Sequence, residues 1–255
     1  MSRQDTRKGI YNASFYLGEG DEILRSPTIV APHVYSLLKP RRVVDVGCGR
    51  GAWLAVFREL GAQTILGLEG KHVDPSCLLV PPDCLRNVDL TKPFVLDQEF
   101  DLAICLEVAE HIPDKSAADL VASLVRLAPC VLFSAAVPYQ GGCRHVNEQW
   151  PDYWEQLFAR QQFRCLDLFR KHIWKNPGVK YWYRQNLFLY VREELIAQRP
   201  EFLEASQEAN DLMLVHADIL RAQLGLRSLL ANLPRALFET AARKLRRFLP
   251  QAGRS

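Results

Sequence analysis

Residues 43–54, VVDVGCGRGAWL, confine this chain more than any other stretch. A short apolar run ends in an acid, Asp45. Glycines follow at alternating positions, Gly47, Gly49 and Gly51, and a second apolar run begins directly behind them. Glycine tolerates positive φ and lets a ligand approach the backbone closely, so the pattern marks a tight turn from a strand into a helix. Such a turn can cradle a dinucleotide's pyrophosphate or an adenosine-bearing cofactor that has no phosphate. It can also be a tight turn that holds nothing.

The rest of the chain repeats the strand-then-helix rhythm. DEILRSPTIVAPHVYSLLKP has apolar spacing near 3.6 and stops at Pro40, which predicts a helix. RRVVDVG predicts a buried strand, GAWLAVFRELG a helix closed by Gly61, and AQTILGLEG a strand ending in Glu69. A proline-rich loop with one short strand leads to Asp89. FDLAICLEV, the helix DKSAADLVASLVRLAP, CVLFSAAVP and the helix WPDYWEQLFARQ come next; FRCLDLFRKHIW and NLFLYVRE are expected as two closing strands. Strands and helices alternating about every twenty residues call for parallel strands with helices on both faces. In such α/β sheets ligands sit at the carboxyl ends of the strands. Residues 45–51, 69, 89, 106–111 and 138–150 fall there. The expected organisation is an N-terminal helical cap over 1–40, an α/β domain over 41–192 and a helical extension over 193–255.

Composition narrows the class. A length of 255 residues holds one sizeable domain and an appendage. The seven cysteines are odd in number and form no Cys-x-x-Cys pair, which argues against a disulfide framework or a zinc site. With a polar start and no apolar run long enough to span a bilayer, a cytoplasmic location is expected. The net charge of +3 is uneven: residues 211–255 hold eight Arg or Lys against three Asp or Glu. The body therefore has no basic excess, and no nucleic-acid partner is expected for it.

The glycine spacing and one acid, Asp45, choose between the cofactor classes. The dinucleotide fingerprint is G-x-G-x-x-G, and GCGRGA departs from it. An acid two residues before the first glycine repels a pyrophosphate and suits a cation. S-adenosylmethionine, with a sulfonium, an ammonium and no phosphate, fits that demand. Glu69, twenty residues past Gly49, is placed to accept ribose hydroxyls, as either cofactor requires. Asp89 stands where a side chain accepts from an adenine amino group. It also reads as a turn-forming acid two residues before Thr91.

VVDVGCGRGAWL, LGLEG, NVDL and FDLAICLEVAEHI, in that order and spacing, resemble the successive motifs of class I S-adenosylmethionine-dependent methyltransferases. The resemblance implies a Rossmann-like seven-stranded sheet whose last strand runs antiparallel. It implies that Asp45, Gly47 and Gly49 shape the pocket for the methionine part. Glu69 would hold the ribose, Asp89 and Leu90 would flank the adenine, and Leu106 and Glu107 would line the cofactor near its sulfur. Fold resemblance says little about the acceptor.

For an oxygen acceptor the protein must align the oxygen and remove a proton. His145, in PYQGGCRHVNEQWPDYW, is the first candidate base, with Asn147, Glu148 and Trp150 as polar and stacking neighbours. The alternative is that His145 and Asn147 cap the helix starting near Trp150. His111, in EVAEHI, is the second candidate. That stretch is similar to one in quinone-biosynthesis O-methyltransferases associated with a divalent metal, which would place Glu107, Glu110 and His111 near the ion. The same letters occur in relatives without metal, and no metal ligand is assigned. Tyr181, Trp182, Tyr183 and Arg184 could wall an acceptor pocket or belong to the core. CLEVAEH after the fourth strand, without Asn/Asp/Ser-Pro-Pro-aromatic, argues against base amines. The polar and aromatic loops suit a sugar or glycosylated metabolite, and the chain resembles methyltransferases of bacterial glycan and natural-product pathways.

From Leu212, apolar residues at 215, 219, 222, 226, 229 and 233 make a heptad seam, and RALFETAARKLRRFLP follows as a basic amphipathic helix. The partners this tail suggests are the domain itself, a second copy in a homo-oligomer, or a membrane surface. Methyl transfer to a small hydroxylated acceptor is the leading function. A nicotinamide-dependent oxidoreductase and a non-catalytic cofactor-binding protein acting through its tail are the alternatives. Thermal shift separates the first two: S-adenosylhomocysteine at about 100 times its Kd should stabilise the protein by roughly 2.7 kcal/mol, and NAD should not. Stabilisation by NAD alone would reverse the assignment.

Overall fold

The computed structural model describes residues 22–70, 75–207 and 212–224, with 233, 234 and 237. The chain divides into two units, Met1–Leu214 and Val215–Ser255. In the first, seven strands form one sheet: β1 (Arg42–Val46), β2 (Thr64–Glu69), β3 (Leu85–Asn87), β4 (Leu102–Leu106), β5 (Cys130–Ser134), β6 (Phe163–Leu166) and β7 (Phe188–Arg192). Their order is β3-β2-β1-β4-β5-β7-β6. β1 to β5 are mutually parallel, and β7 runs antiparallel to both β5 and β6. This is the seven-stranded methyltransferase-type sheet that the resemblance implied.

The strands read as near-continuous apolar runs because both faces are covered. Alternation sends Val43, Ile104, Leu132 and Leu189 into one core. Their neighbours Val44, Ala103, Phe133 and Tyr190 enter the other. Helices α1 (Glu22–Leu38) and α2 (Ala52–Leu60) fill the first core with Leu24, Val30, Val34, Leu54 and Phe57. α3 (Asp114–Leu127) and α4 (Pro151–Ala159) fill the second with Leu120, Leu124, Trp154 and Phe158. α1 closes at Lys39, whose φ of 46° is left-handed, and Pro40 stops it. Gly61 caps α2 at φ 120°, as its position predicts.

Four expectations are corrected. The stretch after β6 is not strand throughout: α5 (Arg170–Ile173) interrupts it, and α6 (Tyr181–Asn186) precedes β7. The first unit does not end at 192. α7 (Glu193–Ile196) and α8 (Pro200–Gln207) bring Ile196, Phe202 and Ala205 into the first core. Nor do the described residues 22–38 form a separate cap, since they share that core with the sheet. The heptad seam is broken, because residues 212–216 are not helical and α9 starts only at Ala217 (Ala217–Gln223). A seam continuing over 225–232 and the basic helix over 238–250 lie outside the described residues. All seven cysteines are free. Among the described residues, no helix is long and apolar enough to cross a membrane.

Phe133 anchors the second core. Its ring meets Trp154 and Phe158 at 5.3 Å each and Tyr190 at 5.8 Å, joining β5, α4 and β7. Phe133→Ala should lower the unfolding free energy by about 3–5 kcal/mol in a denaturant titration. A loss under about 1 kcal/mol would show that the neighbours close the gap unaided.

Candidate active site

The carboxyl ends of β1, β2 and β4 meet at one corner. The turn after β1 carries Gly47, Gly49 and Gly51 at φ 78°, 51° and 80°, values that side chains rarely adopt. At Gly47 closeness adds a second demand: a Cβ there would overlap the Val108 side chain. The loop after β4 can lie against the turn only because residue 47 has none.

Glu69 ties the corner together. One carboxylate oxygen accepts the Gly49 N–H at 2.7 Å and the other accepts the Gly70 N–H at 2.7 Å. Beneath the turn, Asp45 is 2 % exposed, and its Oδ2 has no hydrogen-bond partner among the described residues. Burial, and then the charge of Glu69, pushes the Asp45 carboxyl up to about 8.

A cavity of about 730 Å³ opens at this corner, lined by Gly47, Glu69, Asp89, Leu90, Glu107, Val108, His111 and Arg144 among others. Most of the residues expected at the cofactor thus share one space. Asp45, Gly49 and Leu106 do not line it: Asp45 is buried, Gly49 gives its N–H to Glu69, and Leu106 packs in the first core. Asp89 is the turn-forming acid of the second expectation, and it also borders the cavity. Its Oδ1 accepts from the Thr91 N–H at 3.1 Å and the Thr91 hydroxyl at 2.6 Å, and its Oδ2 pairs with Lys92 at 3.1 Å. Those bonds, Thr91 first and then Lys92, hold its carboxyl below the usual range.

Glu107 has φ 55°, and the loop beyond β5 contains Tyr139 and Arg144 at 72° and 62°. Such backbone is strained for residues with a Cβ and persists where surrounding bonds impose it. Here the Glu110 carbonyl accepts the N–H groups of Val146 and Asn147 at 2.9 and 3.0 Å. The Glu148 carboxylate accepts from Tyr139 N at 3.0 Å and Gly141 N at 2.9 Å, and contacts His145 Nδ1 at 3.1 Å. Glu148, expected only as a polar neighbour of His145, is the residue that gathers this loop. Its only sequence signal is its spacing of three residues from His145.

The two histidines pack edge to face, with ring centroids 4.9 Å apart. His145 Nδ1 faces the Glu148 carboxylate, so it carries the proton, and Nε2 lies 4.0 Å from Glu110 Oε1. His111 Nδ1 faces the Arg144 carbonyl at 3.3 Å, which fixes the same tautomer. Burial holds the His111 imidazole below its usual value. His111 lines the cavity; His145, the first candidate base, does not line it and packs against the His111 ring. Burial raises the carboxyls of Glu107 and Glu110, and mutual repulsion carries Glu110 to about 9.

The trio that the quinone-enzyme resemblance placed near a metal is rearranged. Ligand atoms of Glu110, His111 and His145 lie within 4.8 Å of one another, whereas one Glu107 oxygen is taken by Gln140 at 2.9 Å. Glu110 Oε2 is buried without a hydrogen-bond partner, so these three residues fit a divalent cation. The aromatic cluster divides. Tyr183 meets Trp53 edge-on at 5.4 Å, and burial followed by the charge of Glu107 raises the phenols of Tyr181 and Tyr183. Arg184 is buried, with Nη1 reaching the Trp174 carbonyl at 3.4 Å.

A parallel sheet with a glycine turn, a carboxylate after the second strand and a third acid across the cavity defines a nucleoside-cofactor site. The orphaned Asp45 oxygen beneath it favours a cation over a diphosphate. A family model described as a methyltransferase domain matches residues 29–175, and the chain belongs to that family, whose cofactor is S-adenosylmethionine. The ubiquinone biosynthesis O-methyltransferase of Rhodopseudomonas palustris is 30% identical over 123 residues, 44% of this chain and 42% of that protein. Its namesake in Methylococcus capsulatus is 32% identical over 102 residues, 37% and 41% of the two chains. The chain thus spans about two fifths of the length of these relatives. Among solved structures, the sugar N-methyltransferase KedS8 from Streptoalloteichus superposes with a TM-score of 0.54 at 16% identity, over 70% of this chain and 91% of that one. Streptomyces venezuelae DesVI gives 0.50 at 17%, over 70% and 95%. At such identities they share the fold.

The buried acid has a consequence without cofactor. Asp45 titrates near 3.8 when unfolded and about 8 when folded, so the folded state holds the extra proton between those values. Stability contributed by this group is complete below pH 4 and is lost as pH rises toward 8. In denaturant melts across pH 5–8, Asp45→Asn should flatten the decline. An unchanged slope would place the titration elsewhere.

Proposed function

We propose that this chain transfers a methyl group from S-adenosylmethionine to a hydroxyl oxygen of a small acceptor, a sugar or glycosylated metabolite. The observation that carries this is the histidine pair: His111 lines the same cavity as the acid corner, and His145 packs edge to face against it. The name of the curated relatives, O-methyltransferase, supports oxygen as the acceptor atom. Glu69 would hold the ribose, Asp89 and Leu90 the adenine, and Gly47 with Glu107 the methionine end. Bound there, the cofactor supplies an activated methyl on a cationic sulfur.

The protein's own work is to hold the acceptor hydroxyl and take its proton. His111 Nε2 is the nearer acceptor on the cavity wall. His145, oriented by Glu148, is the second base and keeps the His111 ring in place. Gly142 leaves room for this: a Cβ at 142 would overlap the His145 ring.

A second reading rests on Glu110, His111 and His145, whose geometry suits a divalent cation. Such an ion would polarise the acceptor hydroxyl. The two readings part under chelation, since EDTA abolishes turnover only if the cation is required.

His111→Ala and His145→Ala should each cut turnover at least about 100-fold, measured as methyl release from labelled cofactor over a panel of sugars and phenols. Affinity for S-adenosylhomocysteine should stay intact. Gly142→Ala should imitate His145→Ala. Full turnover in both histidine variants would remove the base, and no methyl release by the wild type on any acceptor would favour the non-catalytic alternative.

A further inference from the structure

Three buried side-chain amides form a chain that ends on Glu107. Gln185 Nε2 donates to Asn186 Oδ1 at 2.9 Å, and Asn186 Nδ2 donates to Gln140 Oε1 at 2.8 Å. Gln140 Nε2 then donates to Glu107 Oε2 at 2.9 Å. Gln140, Asn186 and Gln185 are 7 %, 2 % and 2 % exposed. Burying amides is costly unless they are bonded, so an apolar residue would pack here at less expense if packing were the only need.

The direction of the chain points to its use. An ionised carboxylate only accepts, so Gln140 must turn its NH₂ toward Glu107. Its carbonyl oxygen is then free to accept from Asn186, and the same choice passes to Gln185. Donors aligned in one sense polarise one another and strengthen the last bond. Both ends are anchored. The Gln185 carbonyl accepts from the buried Arg170 guanidinium at 3.0 Å, and Gln140 N–H bonds the Val137 carbonyl at 2.9 Å. Glu107 itself stands on strained backbone at the cavity wall.

We propose that Gln140 is a positioning residue, held by Asn186 and Gln185, that aims the Glu107 carboxylate at the cationic end of the cofactor. The proposal rests on the cofactor assignment above and adds how one carboxylate is kept aimed. α6 supplies this support from the segment that also carries Tyr181 and Tyr183. The end of α6 and the Glu107 carboxylate are thereby one hydrogen-bonded body.

The chemistry provides a readout independent of turnover. S-adenosylmethionine carries the sulfonium charge and S-adenosylhomocysteine does not, so an aimed carboxylate distinguishes them. Calorimetric titration of both ligands into the wild type, Gln140→Leu, Asn186→Ala, Glu107→Gln and the Gln140→Leu/Glu107→Gln double variant tests the relay. Gln140→Leu should weaken S-adenosylmethionine about tenfold while S-adenosylhomocysteine changes less than about twofold. Asn186→Ala should shift the ratio in the same direction and decide the matter if Gln140→Leu does not fold. The double variant should bind as Glu107→Gln does, because the two residues act as one unit. Equal weakening of both ligands, or additive losses in the double variant, would overturn the relay and leave the cofactor site standing. A wild type that binds neither ligand would overturn the cofactor assignment and the relay together.

Discussion

A carboxylate without a counter-charge lies under a turn made of glycines, and the rest of the site is arranged around it. Among the described residues Asp45 Oδ2 has no hydrogen-bond partner, and the charge that raises its carboxyl further, after burial, is that of another acid, Glu69. Burying such a group disfavours its charged form, so a ligand that brings positive charge to this corner favours ionisation of the acid. The glycines make this possible in two ways. They let the turn pass over the acid in left-handed backbone, and at Gly47 they let Val108 close the far side. A methyl group at position 47 would part the two loops that form the wall.

Glu69 does two jobs with one carboxylate. It accepts the backbone N–H groups of Gly49 and Gly70, which holds the turn in shape, and it faces the cavity. A carboxylate oxygen has lone pairs for more than one donor, so holding the backbone does not prevent it from accepting ribose hydroxyls. The loop beyond β5 follows the same economy. Glu148 gathers Tyr139, Gly141 and His145 into one turn, and the Glu110 carbonyl pins Val146 and Asn147. The histidines are therefore placed by bonds to carboxylates and carbonyls rather than by rotamer preference alone.

Much of this was legible in the residues. The glycine spacing and the acids at 45 and 69 announced the corner, because backbone conformation and charge are local properties. The strand order could be expected only through resemblance, and the short helices α5 and α6 were misread as strand or left unassigned. FRCLDLFRKHIW has the apolar content of a strand, but the sheet edge needs only Phe163–Leu166, and Arg170 turns inward to the Gln185 carbonyl and the Phe188 ring. The heptad pattern from Leu212 failed for a similar reason. Leu212 is used by the second core, and the residues directly after it, 213–216, are not helical.

By itself the sequence determined the alternation of strand and helix, the glycine turn with its buried acid, and the candidate histidines, since each depends on residues adjacent in the chain. Tertiary structure alone decided which of these meet. It put His111 on the cavity wall and His145 against its ring, brought Glu110, His111 and His145 together, and joined residues 107, 140 and 186 in one hydrogen-bonded line. Those pairings span tens of residues. They arise because β4, β5 and β7 lie side by side in the sheet, and that neighbourhood follows from packing rather than from any local pattern.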